Sequence, residues 1–226
     1  MITAMYSKRL FYLMFLPLVG MLMMLASCDA HQDFPDTGIK VGHVLCTDGH
    51  VYTLDGMRQA GKQPIAVVFH VNNNPDFEGN GYAVYLHELP SSQFADSLGV
   101  TQGTSCDLSA MDGNGNTYAM YATRDCGSPL ADAVFDLWQY GQSAYIPSVA
   151  QMRLMCAARD IINPIIRECG GDLLPDTYER DWFWTSTEVK DMAAAKAWLY
   201  SLSSGAIQET PKLQAHPARP IITLNN

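Results

Sequence analysis

Hydrophobic residues divide the chain into a leading apolar run, strand-like segments near both ends, and a helical middle. The leading run, Leu10–Ala26, carries no charge and is interrupted by one proline and one glycine. It is short for a helix that spans a bilayer, which needs about 20 residues. It follows Lys8 and Arg9, an arrangement typical of a secretory signal peptide. We therefore leave residues 1–27 out of the predicted fold.

Strands are predicted on both sides of the helical middle. The segment VGHVLCTDGHVYTL (41–54) predicts a β-hairpin, because Asp48-Gly49 is a two-residue turn signal between two β-rich arms. PIAVVFHV (64–71) is a nearly continuous run of β-branched and aromatic residues, as in a strand buried on both faces. Further strands are predicted for GYAVYLHEL (81–89), WFWTSTE (182–188), Ala197–Leu202 and ARPIITLN (218–225).

Two segments between these strands have helical patterns. SPLADAVFDLWQYG (128–141) begins with a serine N-cap and a proline at the first helical position, and it ends at a glycine. YIPSVAQMRLMCAARDIINPIIREC (145–169) contains the capping-box pair Ser148 and Gln151, and Pro164 should kink or divide this helix. Strands at both ends with helices between them predict an α+β fold.

The aromatic stretch WFWTSTE is either a buried strand or an exposed platform for a ligand. Period-two alternation puts Trp182 and Trp184 on one face of the strand and Phe183 on the other. Because aromatic residues on both faces suit a central strand, we predict that Phe183 and Trp184 are core residues. Trp182, at the entry of the strand, remains a candidate ligand contact.

The end of the leading run indicates lipid attachment. LASC (25–28) resembles the lipobox of bacterial lipoproteins, in which an aliphatic residue and two small residues precede a cysteine. The resemblance implies cleavage before Cys28, with acyl chains such as palmitate on its sulfur and amino group, and anchoring in the outer membrane. The domain would face the periplasm or the outside, held off the membrane by a polar tether over 28–40. A plain signal peptide with an unrelated cysteine is the alternative.

The negative charge of the chain argues against polyanionic partners. Once Lys8 and Arg9 are removed with the leader, 12 basic residues remain against 23 acidic residues, a net charge of −11. Binding to nucleic acid is driven by neutralisation of phosphates, so nucleic acid and polyanionic glycans are disfavoured. The predicted partners are the membrane, through the lipid anchor, and a glycan or protein ligand at the surface.

Five cysteines follow Cys28, and this odd number leaves at least one thiol unpaired. An exported protein meets an oxidising compartment, where disulfides persist. We predict a disulfide between Cys106 and Cys126, which bracket a loop rich in glycine and asparagine. Buried free cysteines that act as small hydrophobic residues are the alternative.

The segment MDGNGN raises the possibility of calcium binding. It places Asp112, Asn114 and Asn116 at alternate positions, like the start of a calcium loop. An EF-hand then needs glycine at position 6 and glutamate at position 12, and this chain has Thr117 and Thr123 there. We predict no cofactor and no metal site, with a calcium site of another type as the open alternative.

Several segments, taken in order, resemble the Lcl C-terminal type domain. This domain has a largely unassigned function, lies at the end of collagen-like bacterial adhesins and is abundant in surface lipoproteins. The best-matching segments are YIPS (145–148), WTSTE (184–188) followed by Ala197-Trp198, and RPI (219–221). The resemblance covers about 41–223 and implies a single domain over 41–226.

The relatives of this family include formylglycine-generating domains and the wider C-type-lectin-like fold. The resemblance therefore implies a mixed or antiparallel sheet with two flanking helices and a loop-rich face, and it pairs WFWTSTE with the strand around AKAWLYSL. It implies no catalytic residue. In the lectin relatives, ligands lie on long loops. The comparable loops, 72–80 and 103–117, and the entry of the aromatic strand supply these candidate ligand-binding residues: Asn73, Asn74, Asp76, Asn80, Asp112, Asn114, Asn116 and Trp182.

Together these observations predict a non-enzymatic surface lipoprotein that acts as an adhesin or glycan-binding module. An accessory subunit of a pilus-like surface assembly is the alternative. An envelope hydrolase is a more distant third possibility. The sequence does not exclude it, because the carboxylate pair of a glycoside hydrolase can be recognised only in three dimensions.

Overall fold

Antiparallel strands and four helices build the part of the chain that the computed structural model describes, which is residue 36 and residues 38–74, 79–137 and 144–225. These residues belong to one compact unit, Asp36–Asn226. Met1–Pro35 forms a second unit outside the described residues, so the predicted signal peptide, the lipidation site at Cys28 and most of the tether lie there. Among the helices that are described, none is long and apolar enough to cross a membrane.

Ten strands form three antiparallel sheets in the described part of the chain. The largest sheet, in the order β10-β4-β3-β1-β2, contains β1 (Val44–Cys46), β2 (Val51–Tyr52), β3 (Pro64–Val71), β4 (Gly81–Tyr85) and β10 (Ile221–Leu224). The second sheet has the order β6 (Trp182–Glu188), β7 (Lys196–Ser201) and β8 (Ile207–Pro211). The third sheet pairs β5 (Leu89–Gln93) with β9 (Ala215–Ala218).

The helices are α1 (Leu54–Gln59), α2 (Gly113–Ala122), α3 (Pro129–Phe135) and α4 (Val149–Glu168). Helices combined with antiparallel sheets confirm the α+β class, but the prediction of two flanking helices is wrong, because α1 and α2 also form. Helix α3 begins at its serine cap as predicted and ends at residue 135, and residues 138–143 lie outside the described part.

Helix α2 begins inside the loop that we predicted over 103–117. The Thr117 hydroxyl donates to the carbonyl of Gly113 at 2.8 Å and accepts from the backbone N–H of Ile146 at 2.9 Å, so contacts from another segment fix the first turn. A Cβ atom at Gly113 would lie 2.3 Å from Oε1 of Gln151, so the close approach to α4 requires glycine there. Tertiary contacts thus override the low helix propensity of glycine and asparagine.

Helix α4 begins as predicted and then departs from the prediction. Both hydrogen bonds of the capping box between Ser148 and Gln151 are present. The helix nevertheless runs without division through Pro164 to Glu168. Pro164 has no N–H to donate to the carbonyl of Asp160, four residues earlier in the helix. Both residues are on the exposed side of the helix, where water can bond to the Asp160 carbonyl.

Strand β6 is a core strand, as its aromatic pattern predicts, but it is not a central one, because the order β6-β7-β8 places it at the edge of its sheet. Phe183 and Trp184 are 1% and 0% exposed. Phe183 packs in the cluster beneath α4, and Trp184 packs in the cluster around α2, α3 and β5. The predicted pairing with the following strand is also confirmed, with Trp184 opposite Leu199.

The predicted hairpin forms from β1 and β2, and Asp48 in its turn collects three donors. Its carboxylate accepts from the N–H of His50 at 3.1 Å, from the Tyr52 hydroxyl at 2.9 Å and from the Lys62 ammonium at 3.0 Å. Burial alone would raise the pKa of Asp48, but these hydrogen bonds outweigh burial and lower the pKa to about 2.

This depressed pKa predicts a contribution to stability in acid. The contribution is fully present above the unfolded pKa near 4 and is lost as the pH falls toward the folded pKa near 2. Because Asp48 is partly exposed, we expect no more than about 1 kcal/mol. Denaturant unfolding of the wild type and Asp48→Asn at pH 6, 4 and 2.5 would measure it. The difference between the two proteins should shrink on acidification, and a constant difference would contradict the assignment.

Candidate ligand-binding cleft at Trp182

The residues predicted to bind a ligand occupy three separate parts of the structure. Asn73, Asn74 and Asn80 are exposed on the connection between β3 and β4, and Asp76 lies outside the described residues. Asp112 and Asn114 are partly exposed at the start of α2. None of the described residues of these two loops lines the cleft that contains Trp182.

Asn116 is a structural residue, contrary to the prediction. It is 4% exposed, its side-chain Oδ1 accepts from the N–H of Ser105 at 2.8 Å, and its Nδ2 donates to Asp112 Oδ1 at 2.9 Å. These bonds fasten the 103–112 segment to α2 and leave Asn116 no exposure to a ligand. Within the described part of the chain, no three His, Cys, Asp or Glu residues come together as a possible metal site.

The predicted disulfide between Cys106 and Cys126 is not formed, and both residues are free thiols. Cys126 is buried in the core and its thiol donates to the carbonyl of Ser97 at 3.3 Å. Cys106 lies in a different environment, where burial and then the charges of Glu188 and Asp191 raise the pKa of its thiol. Bracketing one loop in sequence therefore does not bring these two thiols into one site.

The cleft is a cavity of about 510 Å³ at the entry of β6. Its walls come from the segment that joins β4 to β5, from the entry of β6 and from β9, so strands of two sheets hold it. Its lining combines one partly exposed aromatic residue with charged, polar and small apolar residues. In chain order, the lining residues are Glu88, Ser91, Arg180, Trp182, Ala215, His216 and Pro217.

Asp181 fixes the wall of the cleft that carries Arg180 and Trp182. Its side chain is buried and accepts from the hydroxyls of Ser201, at 2.5 Å, and Ser203. Its carbonyl accepts from the N–H of Leu202 at 2.9 Å. This anchor holds the adjoining Arg180 in the left-handed region, with φ of 56°, a conformation that few residues other than glycine adopt.

Trp184 and His216 fix the opposite wall. The indole N–H of Trp184 donates to the carbonyl of Ser92 at 2.9 Å, which ties β5 to β6. The ring of His216 meets the Trp184 ring edge-on, with centroids 5.4 Å apart. Burial lowers the pKa of His216 below its usual value, so a neutral imidazole, able to donate and to accept, faces the cleft at neutral pH.

Glu88 lies where the chain passes from β4 to β5, and a buried cation holds this turn. The guanidinium of Arg219 donates to the carbonyls of Leu86 at 2.8 Å and Asp172 at 2.6 Å. Burial lowers the pKa of Arg219 to about 10, while Asp172 and Glu88 oppose the shift, so the guanidinium stays charged at neutral pH. The predicted single strand 81–89 is therefore broken after Tyr85, because these bonds redirect the chain into another sheet.

Glu88 also lines a second, smaller cavity of about 210 Å³. That cavity is mostly apolar and includes Ile65, Tyr85, Leu89 and Leu137 among its lining residues. The two cavities adjoin at Glu88, so the polar cleft has an apolar neighbour.

The lining of the cleft favours binding over hydrolysis. Glu88 carries the one carboxylate among the described residues that line it, whereas glycoside hydrolysis uses a pair of carboxyl groups on either side of the scissile bond. An aromatic ring surrounded by neutral and charged hydrogen-bonding groups on rigid strands is the composition of a small-molecule or saccharide site.

Sequence reasoning identified Trp182 and missed its neighbours in the cleft. Glu88, Ser91, Arg180 and His216 have no motif or spacing that connects them in the sequence. No protein-family model matches the chain, and no curated protein matches its sequence. The resemblance to the Lcl C-terminal type domain therefore remains a prediction.

Proposed function

We propose that this protein is a non-enzymatic, surface-displayed lipoprotein that binds a saccharide in the Trp182 cleft. The observation that carries the proposal is the position of Trp182, a partly exposed indole at the entry of an otherwise buried strand, in an open cavity of about 510 Å³. Trp182 packs against the core with part of its indole, and the part that stays exposed is available for a ligand.

The chemistry of the lining suits a sugar ring. An indole offers a flat apolar surface for the C–H face of a sugar. Ser91, His216, Glu88 and Arg180 supply donors and acceptors around that surface for hydroxyl groups. The strongly acidic mature chain disfavours polyanionic glycans through long-range repulsion, so a neutral or singly charged saccharide is the proposed ligand.

The proposed cellular setting comes from the sequence. The segment that resembles a lipobox at Cys28 supports anchoring in the outer membrane, with the polar tether over 28–40 between the anchor and the domain. The resemblance to the Lcl C-terminal type domain supports a C-type-lectin-like arrangement, in which loops and strand ends on a rigid scaffold hold the ligand. The α+β architecture is compatible with that proposal.

Replacing Trp182 with Ala should weaken saccharide binding by about 10-fold or more, equivalent to roughly 1.4 kcal/mol. Loss of the stacking surface is the cause, and Trp182→Phe should retain part of the affinity. A glycan array with neutral and acidic oligosaccharides would first find a binding probe, and calorimetric titration of that probe would compare the variants.

The matched control is Tyr118→Ala, which removes an aromatic side chain that is 65% exposed on α2 and does not line the cleft. It should bind like the wild type. If the folded wild type binds no array glycan, or if Trp182→Ala binds as well as the wild type, the proposal is wrong. Co-purification of the wild type with a large envelope assembly would then favour the accessory-subunit alternative.

A further inference from the structure

We propose that Cys46 and Cys169 form a disulfide when the chain reaches an oxidising compartment, joining the end of β1 to the C-terminal end of α4. This bond is independent of the Trp182 cleft and of its ligand. It would covalently close the side of the domain where α1, the first hairpin and the longest helix meet.

The two cysteines belong to one small packed cluster. Cys46 is 0% exposed in a group with Val44, Tyr52 and Met57. Cys169 packs against the same group from the end of α4, together with Ile165 and Leu54. Both are free thiols in this structure, and the cluster places one on the sheet and the other at the end of the helix that covers it.

Neighbouring contacts hold both backbones in place around this cluster. The Arg58 guanidinium of α1 pairs with the Glu168 carboxylate at 2.6 Å, which fastens the residue before Cys169. Cys46 is held in the sheet by its N–H bond to the carbonyl of His50 at 3.0 Å. Cys169 is the C-cap that follows the last helical residue, Glu168, and Gly170 after it has φ of 75°, so the helix ends and the chain turns at this point.

The electrostatics of Cys46 are compatible with its packing in one cluster with Cys169. Burial, then Asp48, then Cys169 raise the pKa of the Cys46 thiol to about 11. Burial also raises the pKa of the Cys169 thiol, and the nearby Arg58 charge opposes this shift.

The other three cysteines lie outside the small cluster that contains Cys46 and Cys169. The Cys126 thiol donates to the carbonyl of Ser97, and the Cys156 thiol donates to the carbonyl of Leu202, each at 3.3 Å. Cys106 lies near Glu188. Cys156 shares the large cluster beneath α4 with Cys169, but the two lie about 20 Å apart along that helix. Cys46 is the cysteine on another element that packs in one cluster with Cys169.

The bond forms by two exchange steps with an external disulfide, such as oxidised glutathione or an exported thiol-oxidising protein. Cys169, the more accessible thiol, loses its proton and attacks the external disulfide, which gives a mixed disulfide and releases one external thiol. The Cys46 thiolate then attacks the sulfur of Cys169 and releases the second external thiol. The two protein thiols are oxidised, and the external disulfide is reduced to two thiols.

The full chain, isolated from a bacterial cell envelope, should be alkylated under denaturing conditions without reductant and then mapped by peptide mass spectrometry. Of the five thiols, three should be alkylated, and one linked peptide should join Cys46 to Cys169. Protein that was first reduced should regain the link in a buffer of oxidised glutathione. If all five thiols are alkylated in both the isolated and the reoxidised protein, or if another pair is linked, the proposal is overturned.

Variants give a second, quantitative readout. Cys169→Ser should abolish the link and lower the melting temperature of the oxidised protein by roughly 5–15 °C, because the bond closes a very long loop. The matched control, Cys106→Ser, should keep the link. The same Cys169→Ser change measured with reductant should have little effect, and an equal loss of melting temperature in both conditions would contradict the disulfide.

Discussion

Replacing Lys212 with Met is expected to lower the free energy of unfolding by about 3–5 kcal/mol, because it leaves a carboxylate unpaired in the core. Lys212 and Glu188 are 0% and 1% exposed, and their charged groups are in direct contact. Such a loss is a large part of the 5–15 kcal/mol that stabilises a typical domain. Glu188→Gln, which leaves the ammonium unpaired instead, should have a similar effect.

The environment of Glu188 explains why it is so firmly held. Its carboxylate accepts from the N–H of Gln102 at 2.8 Å and from the N–H and hydroxyl of Thr104 at 3.1 and 3.0 Å. The ammonium of Lys212 also lies over the ring of Phe94, 5.3 Å from its centroid. Glu188, the last residue of β6, therefore connects the 100–104 segment to Lys212, which follows β8.

A double-mutant cycle would separate the pair from its parts. Denaturant unfolding of the wild type, Lys212→Met, Glu188→Gln and the double variant gives the coupling energy, and the double variant should recover much of the loss of either single one. Lys196→Met is the matched control, because the Lys196 and Glu209 pair at 3.1 Å is partly exposed and is worth less than about 1 kcal/mol. Equal, small losses in all single variants would refute the expectation.

Replacing Trp184 with Ala is also expected to destabilise the fold strongly, by about 3–5 kcal/mol. Trp184 is fully buried, meets the ring of Phe94 edge-on with centroids 5.4 Å apart, and donates to the carbonyl of Ser92. Removing it opens a large cavity and leaves that carbonyl without its donor, and the link from β6 to β5 is lost.

The adjacent indole on the same face of β6 provides the comparison. Trp182→Ala should cost clearly less stability than Trp184→Ala, because Trp182 is only partly buried. Unfolding curves for both variants, recorded beside the saccharide titrations, would show whether stability and binding separate along one strand. If Trp182→Ala unfolds as easily as Trp184→Ala, Trp182 is a core residue and the cleft loses its main argument.

Local sequence determined many of the elements. The hairpin at 41–54, the strands at 64–71 and 182–188, and the cap of α4 formed where turn chemistry, β-branched runs and a capping box predicted them. These signals act over a few residues, so the sequence carries them in full. Alternation of aromatic residues likewise identified Phe183 and Trp184 as core.

Tertiary contacts decided what local signals could not. Helix α2 forms in a glycine- and asparagine-rich segment because Thr117 bonds to Ile146. The strand predicted over 81–89 breaks because Arg219, more than a hundred residues later, binds the carbonyl of Leu86. The thiols of Cys106 and Cys126, which bracket one loop in sequence, are both free, and each belongs to a different set of contacts.

The same distinction applies to function. By itself the sequence determined an acidic charge balance, a segment at Cys28 that resembles a lipobox and one aromatic residue at the entry of a strand, since each depends only on neighbouring residues or on composition. Only the tertiary structure brought Glu88, Arg180 and His216 around Trp182 and packed Cys46 and Cys169 into one cluster. Such sites are built from residues far apart in the chain, and the pairing of strands and the packing of helices alone bring them together.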